Sequence, residues 1–178
     1  FERMLDEARP DAVVVATPMQ FHAPQAIAAL QRDISVLSEV TACVSLDEAR
    51  WLVQAARQSR GSYMMAENYT YARHCVIVRE LARQGLFGTP YYAEGEYLHE
   101  LKGLNEITRW RRKWQTGVNG VTYGTHSLGP ILQWMEGDRV VGMPSIQPVS
   151  LHLHAAEVRI VHPVRLGASG HGAIRGGG

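Results

Sequence analysis

His126 follows Tyr123 by three residues and stands where an apolar helical pattern begins. Histidine titrates near neutral pH, so an imidazole at a helix start suits proton transfer to or from a substrate hydroxyl. Tyr123 places a phenol, donor and acceptor at once, beside it. Tyr97 lies in an extended, tyrosine-rich stretch, and a phenol there works as a base only if its ordinary pKa, about 10, falls. Glu67 closes a short apolar run, where its carboxylate serves either proton transfer or the capping of a following helix. Thr17, Pro18 and His22 follow another apolar run. In a doubly wound sheet that place, just beyond the carboxyl end of a strand, is where ligands bind.

Other groupings are less eloquent. His99, His152, His154 and His162 are spread through irregular sequence with no cysteine or carboxylate at ligand spacing, so no metal site is expected. Arg109-Trp110-Arg111-Arg112-Lys113-Trp114 is basic and aromatic, a composition that can bind single-stranded nucleic acid. The net charge of the chain is only +1, so no basic field supports such a partner, and the segment reads as a substrate-side loop or a solvated face.

The elements that must carry these groups alternate. Ala12 to Ala16 is a short run rich in valine and suits a strand buried on both faces. Pro24 fits the first turn of a helix that continues to Gln31. Residues 34 to 38 and 62 to 66 are further strands. Between them, Ser45-Leu46-Asp47-Glu48 is a capping box, and Leu46, Ala49, Leu52, Val53 and Ala56 follow at helical spacing up to Gly61, which marks the helix end. A third helix is predicted over 72–84, followed by Gly85, and an extended segment runs from Pro90 to Leu101. Leu128, Ile131, Leu132 and Met135 predict a helix over 125–136. Strand and helix in alternation with short connections imply a parallel α/β sheet, and residues 91 to 101 begin a different, open sheet. The expected divisions are 1–69, 70–142 and an irregular tail, 143–178, in which only 155–161 has any strand character.

Hydrophobic residues make up 46% and charged residues 20% of the 178 residues, the balance of a globular domain with a real core. The two cysteines, Cys43 and Cys75, form no CxxC pair, so a reducing, cytoplasmic setting is the default expectation. No apolar run approaches the ~18 residues of a membrane span, and no signal peptide is visible.

A dinucleotide-binding fold opens with a strand, a glycine-rich turn and a helix whose N-terminus holds the pyrophosphate. No such turn precedes Ala12. Gly170-His171-Gly172-Ala173-Ile174-Arg175 begins in the right way but follows no strand and opens no helix. The run at Ala12 therefore reads as a middle strand, the chain as the second half of a Rossmann-type doubly wound sheet followed by the start of an α+β open-sheet domain. An N-terminal portion with the phosphate loop is expected to be missing.

Three segments carry a resemblance over roughly residues 5–142. They are Ala16-Thr17-Pro18 with His22, Glu39-Val40-Thr41, and Gly124-Thr125-His126. In order and position they resemble the Gfo/Idh/MocA oxidoreductases, which implies an NAD cofactor, a small sugar or polyol substrate, and Thr17, Pro18, His22, Glu39 and Asn68 on the cofactor side. The family's usual lysine is Val40 here, and the aspartate often found four residues before the histidine is Thr122. Met64-Met65-Ala66-Glu67-Asn68, Gly85-Leu86-Phe87-Gly88, Glu94 to Leu101, and Tyr123 to Pro130 are similar to glycoside hydrolase family 109, NAD-dependent α-N-acetylgalactosaminidases on the same scaffold. That subgroup tolerates valine at position 40, although Thr41 and Gly124 stand where proline is more usual. The resemblance implies that His126, Tyr123, Tyr97 and Glu67 are catalytic in a redox-neutral cycle of C3 oxidation and elimination. A sugar dehydrogenase, or a truncated or non-catalytic relative that binds a sugar or a partner, are the alternatives. Homo-oligomerisation of the parent is implied by resemblance alone.

Overall fold

The computed structural model describes residues 1–100, 102–108, 110, 123–135 and 153–161. Helix α1 (Glu2–Ala8) leads into strand β1 (Ala12–Val15). Helix α2 (His22–Leu30), strand β2 (Ser35–Ser38), helix α3 (Leu46–Gln58) and strand β3 (Tyr63–Met65) follow. The strands are parallel, in the order β1-β2-β3. Right-handed crossovers that step in one direction lay their helices on one side of the sheet. The core forms there: Val13, Val15 and Val36 meet Ala26, Ala29 and Leu30 of α2, Leu52 and Ala55 of α3, and Leu5 of α1. Fully burying each large aliphatic side chain is worth roughly 1.5–3 kcal/mol.

Among the described residues nothing covers the other side of the sheet. Val14, Leu37 and Met64 lie opposite one another in register and are 71%, 38% and 51% exposed. Parallel sheets are normally covered on both faces. Expressed alone, the chain should therefore bind a polarity-sensitive dye and self-associate, and the double variant Val14→Glu, Leu37→Glu should do both less while keeping its circular dichroism. A wild-type chain that stays monomeric and dye-silent would contradict this.

The capping box forms. Ser45 Oγ accepts from the Glu48 amide at 3.1 Å, and the Glu48 carboxylate accepts from the Val44 amide at 2.7 Å. The predicted apolar stripe of α3 is split, however. Leu52 and Ala55 are buried, whereas Leu46 and Val53 are 77% and 50% exposed. Gly61 does not end the helix either; Ser59 does, in an extended conformation. Gly61 is needed because a Cβ there would lie 2.8 Å from the Ile34 backbone.

Beyond β3, a single 3₁₀ turn (Asn68–Tyr71) precedes α4 (Arg73–Arg83). Strand β4 (Tyr92–Glu100), the short α5 (Lys102–Ile107) and α6 (Thr125–Trp134) come next. Strand β5 (Leu153–Val161) pairs antiparallel with β4 along its whole length. It covers residues 155–161, the one part of the 143–178 stretch for which strand character was expected. Ala155-Ala156 interrupts the alternation that marks a strand, and the ladder partner lies far away in sequence, so the pattern alone is weak. Residues 143–152 and 162–178, and all of the basic segment except Trp110, fall outside the described residues. Helix α6 packs Ile131 and Met135 toward Ala93 of β4. It is tied to α4 by Trp134 Nε1 donating to the Cys75 carbonyl at 3.1 Å and Arg79 donating to Gln133 at 2.8 Å. No helix among the described residues is long and apolar enough to cross a membrane.

Candidate active site

A cleft of about 310 Å³ opens beyond the carboxyl ends of β1 and β2. One wall is Ala16, Thr17, Met19, His22, Glu39 and Val40, and the other brings Asn68, Tyr97, Tyr123 and His126, with Leu104 and Trp110 at the side. Seven of the nine residues singled out from the sequence thus meet at one place: Thr17, His22, Glu39, Asn68, Tyr97, Tyr123 and His126. Pro18 does not line the cleft; it opens a 3₁₀ turn over Met19–Phe21, its carbonyl accepting from the Phe21 amide at 2.9 Å. Glu67 stands behind the cleft wall.

The first turn of α6 carries His126, 9% exposed. Its Nδ1 lies 2.7 Å from Glu67 Oε1, and both side chains are buried. Donation from Nδ1–H to the carboxylate selects the tautomer in which Nε2 keeps a lone pair for a proton. Glu67 also accepts from the Tyr69 amide at 3.1 Å, so it is cap and imidazole partner together. Its other oxygen, Oε2, is buried without a hydrogen-bond partner.

Aromatic rings enclose the imidazole. Tyr123 stacks at 5.6 Å and 9°, Tyr97 lies at 4.7 Å and 58°, and Tyr69 at 4.4 Å and 35°. Tyr69 was not singled out by sequence; only its position two residues after Glu67 could have pointed to it. Burial, then Tyr69, Tyr123 and Glu67, push the Tyr97 phenol up to about 12. This is opposite to the fall that a free-standing phenolate base requires.

Both ring nitrogens of His22 face backbone carbonyls, Nδ1 that of Thr41 at 2.7 Å and Nε2 that of Thr17 at 2.6 Å. A neutral imidazole donates only one of these bonds. His22 therefore ties together the two turns that form one wall, with no nitrogen left for a ligand. The Thr17 hydroxyl donates to Gln25 at 2.8 Å, and Glu39 accepts weakly from its neighbour Val40 at 3.3 Å. Thr17, Glu39 and Asn68 together offer a hydroxyl, a carboxylate and an amide along the strand ends, a donor and acceptor set that fits a nicotinamide riboside. Among the described residues, no group of three or more His, Cys, Asp or Glu is placed to hold a metal.

Gly129 keeps the pair in place. A Cβ there would lie 2.8 Å from Glu67 Cγ and 2.7 Å from Thr70 Oγ1. Neither atom is the loose end of a long side chain, and both residues are buried. Gly129→Ala should push Glu67 off His126; if the pair is catalytic in the full-length protein, kcat should fall on the order of 10²-fold with little change in KM, as small misplacements of catalytic groups do. Steady-state kinetics check this, and an unchanged kcat in a folded variant would contradict it.

Residues 1–67 match the oxidoreductase family with an NAD-binding Rossmann fold, and residues 71–163 match the C-terminal domain of glycosyl hydrolase 109. A glycosyl hydrolase family 109 protein of Shewanella woodyi is 36% identical over 85% of this chain and 34% of its own length. An α-N-acetylgalactosaminidase of Shewanella oneidensis is 34% identical over 85% of this chain and 35% of its own. The chain thus spans about a third of the length of these relatives. The crystal structure of an inositol dehydrogenase homologue from Azotobacter vinelandii complexed with NAD⁺ superposes with a TM-score of 0.63 at 25% identity, over 75% of this chain and 38% of that one.

Proposed function

The chain belongs to glycosyl hydrolase family 109, and from that premise we propose that it is part of an NAD-dependent glycosidase acting on an N-acetylhexosaminide by transient C3 oxidation and elimination. The observation that carries the reading is the Glu67–His126 pair at 2.7 Å, set against Tyr97 and Tyr123 beside a cleft at the strand ends. Bound NAD would serve as the two-electron oxidant at C3 and return the same electrons at the end of the cycle. Everything else falls to the side chains. His126 Nε2 takes the proton of O3, its ring held by Glu67 and stacked on Tyr123. With C3 a carbonyl, the C2 hydrogen is acidic, and Tyr97 receives it. The C2 electron pair forms the C1–C2 double bond and expels the anomeric group. Water then adds at C1, and a proton returns to C2.

In this scheme Glu67 is a positioning residue, because its carboxylate faces His126 and the Tyr69 amide rather than the cleft. His22 shapes the cofactor wall through Thr17 and Thr41. A plain sugar dehydrogenase is the second reading, favoured by the fold shared with the inositol dehydrogenase homologue. Val40, which lines the cleft, counts against it because valine moves no proton.

The test uses the full-length protein and an aryl α-N-acetylgalactosaminide with no added NAD. Release of the phenol without net NADH is expected. NADH accumulation without phenol release would replace the proposal with the dehydrogenase reading, and neither product would leave a non-catalytic relative.

A further inference from the structure

We propose that Leu104 and Trp110 form the leaving-group side of the cleft, an apolar shelf that selects glycosides whose anomeric substituent presents a flat apolar face, an aryl group being the simplest. The inference rests on the glycosidase reading above and adds a specificity-determining pair to it.

The groups used so far lie on two walls. Thr17 and Glu39 stand at the ends of β1 and β2, and Tyr97, Tyr123 and His126 stand across the cleft from them. Leu104 and Trp110 belong to neither wall, yet both line the cleft, and neither carries an acid or a base. Their place in the chain says which part of a substrate they meet. Tyr97 lies near the end of β4, and the chain passes from there into α5, which carries Leu104. In the proposed scheme O3 lies at His126 and C2 at Tyr97, two rings whose centroids are 4.7 Å apart. C1 is the next carbon after C2. The anomeric substituent therefore continues past Tyr97, away from His126, to the side that α5 and Trp110 close.

The surface there is apolar and open. Leu104 and Trp110 are each 37% exposed, and Ile107 is 82% exposed. Leu104 and Ile107 are three residues apart on α5 and so share a face of the helix. The apolar surface thus runs outward from the cleft instead of stopping at its rim, as a binding groove does. An indole offers a large, rigid face on which an aryl ring stacks. A methyl substituent is too small to reach it. Such a contact is made alike in the ground state and in the transition state, so its loss raises KM and leaves kcat nearly unchanged.

The test measures KM in the full-length protein for an aryl and for the methyl α-N-acetylgalactosaminide, read from the sugar released. Wild type, Trp110→Ala, Trp110→Phe and Leu104→Ser are compared on each glycoside separately, so that the different reactivities of the two leaving groups cancel. Trp110→Ala should raise KM for the aryl glycoside about 3–10-fold, the worth of one aromatic contact, and leave KM for the methyl glycoside as it was. Leu104→Ser should act in the same direction, again on the aryl glycoside alone. Trp110→Phe, which keeps an aromatic face, should recover most of the loss. A KM that rises alike for both glycosides would put the indole against the sugar or the cofactor and overturn the shelf, as would a KM unchanged for both; either result leaves the glycosidase reading standing. Cleavage of neither glycoside by wild type overturns that reading and the shelf with it.

Discussion

Replacing His126 by alanine lowers kcat by about 10²–10⁴-fold in the full-length protein, the range that a general acid–base group contributes. KM for the glycoside should move little, because in the proposed scheme the imidazole handles a proton in the transition state rather than binding the ground state. The geometry sets the expectation. Nδ1 is taken by a buried carboxylate at 2.7 Å, which leaves Nε2 for the O3 proton in the proposed scheme, and among the described residues no second imidazole lines the cleft with a free nitrogen. His22 lines it too, but both of its nitrogens bind carbonyls. Glu67→Gln should fall in the same direction by less, since an amide still approaches Nδ1 but no longer fixes the tautomer or balances an imidazolium. Single-turnover kinetics with the C3-labelled glycoside separate the chemical step from binding. Wild-type kcat in His126→Ala would remove this residue from the mechanism.

Tyr97→Phe has a second large effect, of a different kind. The variant loses cleavage by about 10²-fold or more and loses exchange of the C2 hydrogen with solvent, while still undergoing oxidation at C3. The reason is that the proposed scheme gives O3 chemistry to His126 and C2 chemistry to Tyr97. These side chains touch, at 4.7 Å between ring centroids, but serve different atoms of the sugar. NADH formed on mixing should therefore persist in the variant instead of decaying, which stopped-flow absorbance records. Continued C2 exchange in Tyr97→Phe would assign the base elsewhere.

Local signals in the sequence were the ones that survived folding. The valine run at Ala12, the capping box at Ser45 and Glu48, and the apolar spacing at Leu128 and Ile131 each depend on neighbours within one turn or one strand, and each formed its element. Signals that depend on distant partners did not show. Helix α1 buries only Leu5, so it has no apolar period to read. Strand β5 exists through its ladder with β4. In α3 the choice between Leu52 and Leu46 as the buried side is made by α2 and the sheet, not by α3 itself. The site was legible in the same uneven way. Strand ends and a helix start pointed to Thr17, His22 and His126, while Glu39, Asn68, Tyr97 and Tyr123 came from the family resemblance; all seven line one cleft. The contact between Glu67 and His126 joins residues 59 positions apart, and neither the partnership nor the approach of the Tyr69 ring to His126 leaves a mark on local sequence. Tyr97 shows the limit most plainly: a strand tyrosine could be placed, but the upward push on its phenol comes from burial and from Tyr69, Tyr123 and Glu67, which assemble only in the fold.

The central claim is that bond cleavage passes through a C3 ketone and loss of the C2 proton. The most direct measurement is nuclear magnetic resonance of the sugar released by the full-length wild-type protein from an aryl α-N-acetylgalactosaminide in deuterated water, with no NAD added. Deuterium at C2 and protium retained at C3, with no net NADH, is the predicted result, since the C2 proton exchanges with solvent and the electrons taken from C3 return there. Cleavage that leaves the C2 hydrogen in place would contradict the account and point to direct displacement at the anomeric carbon.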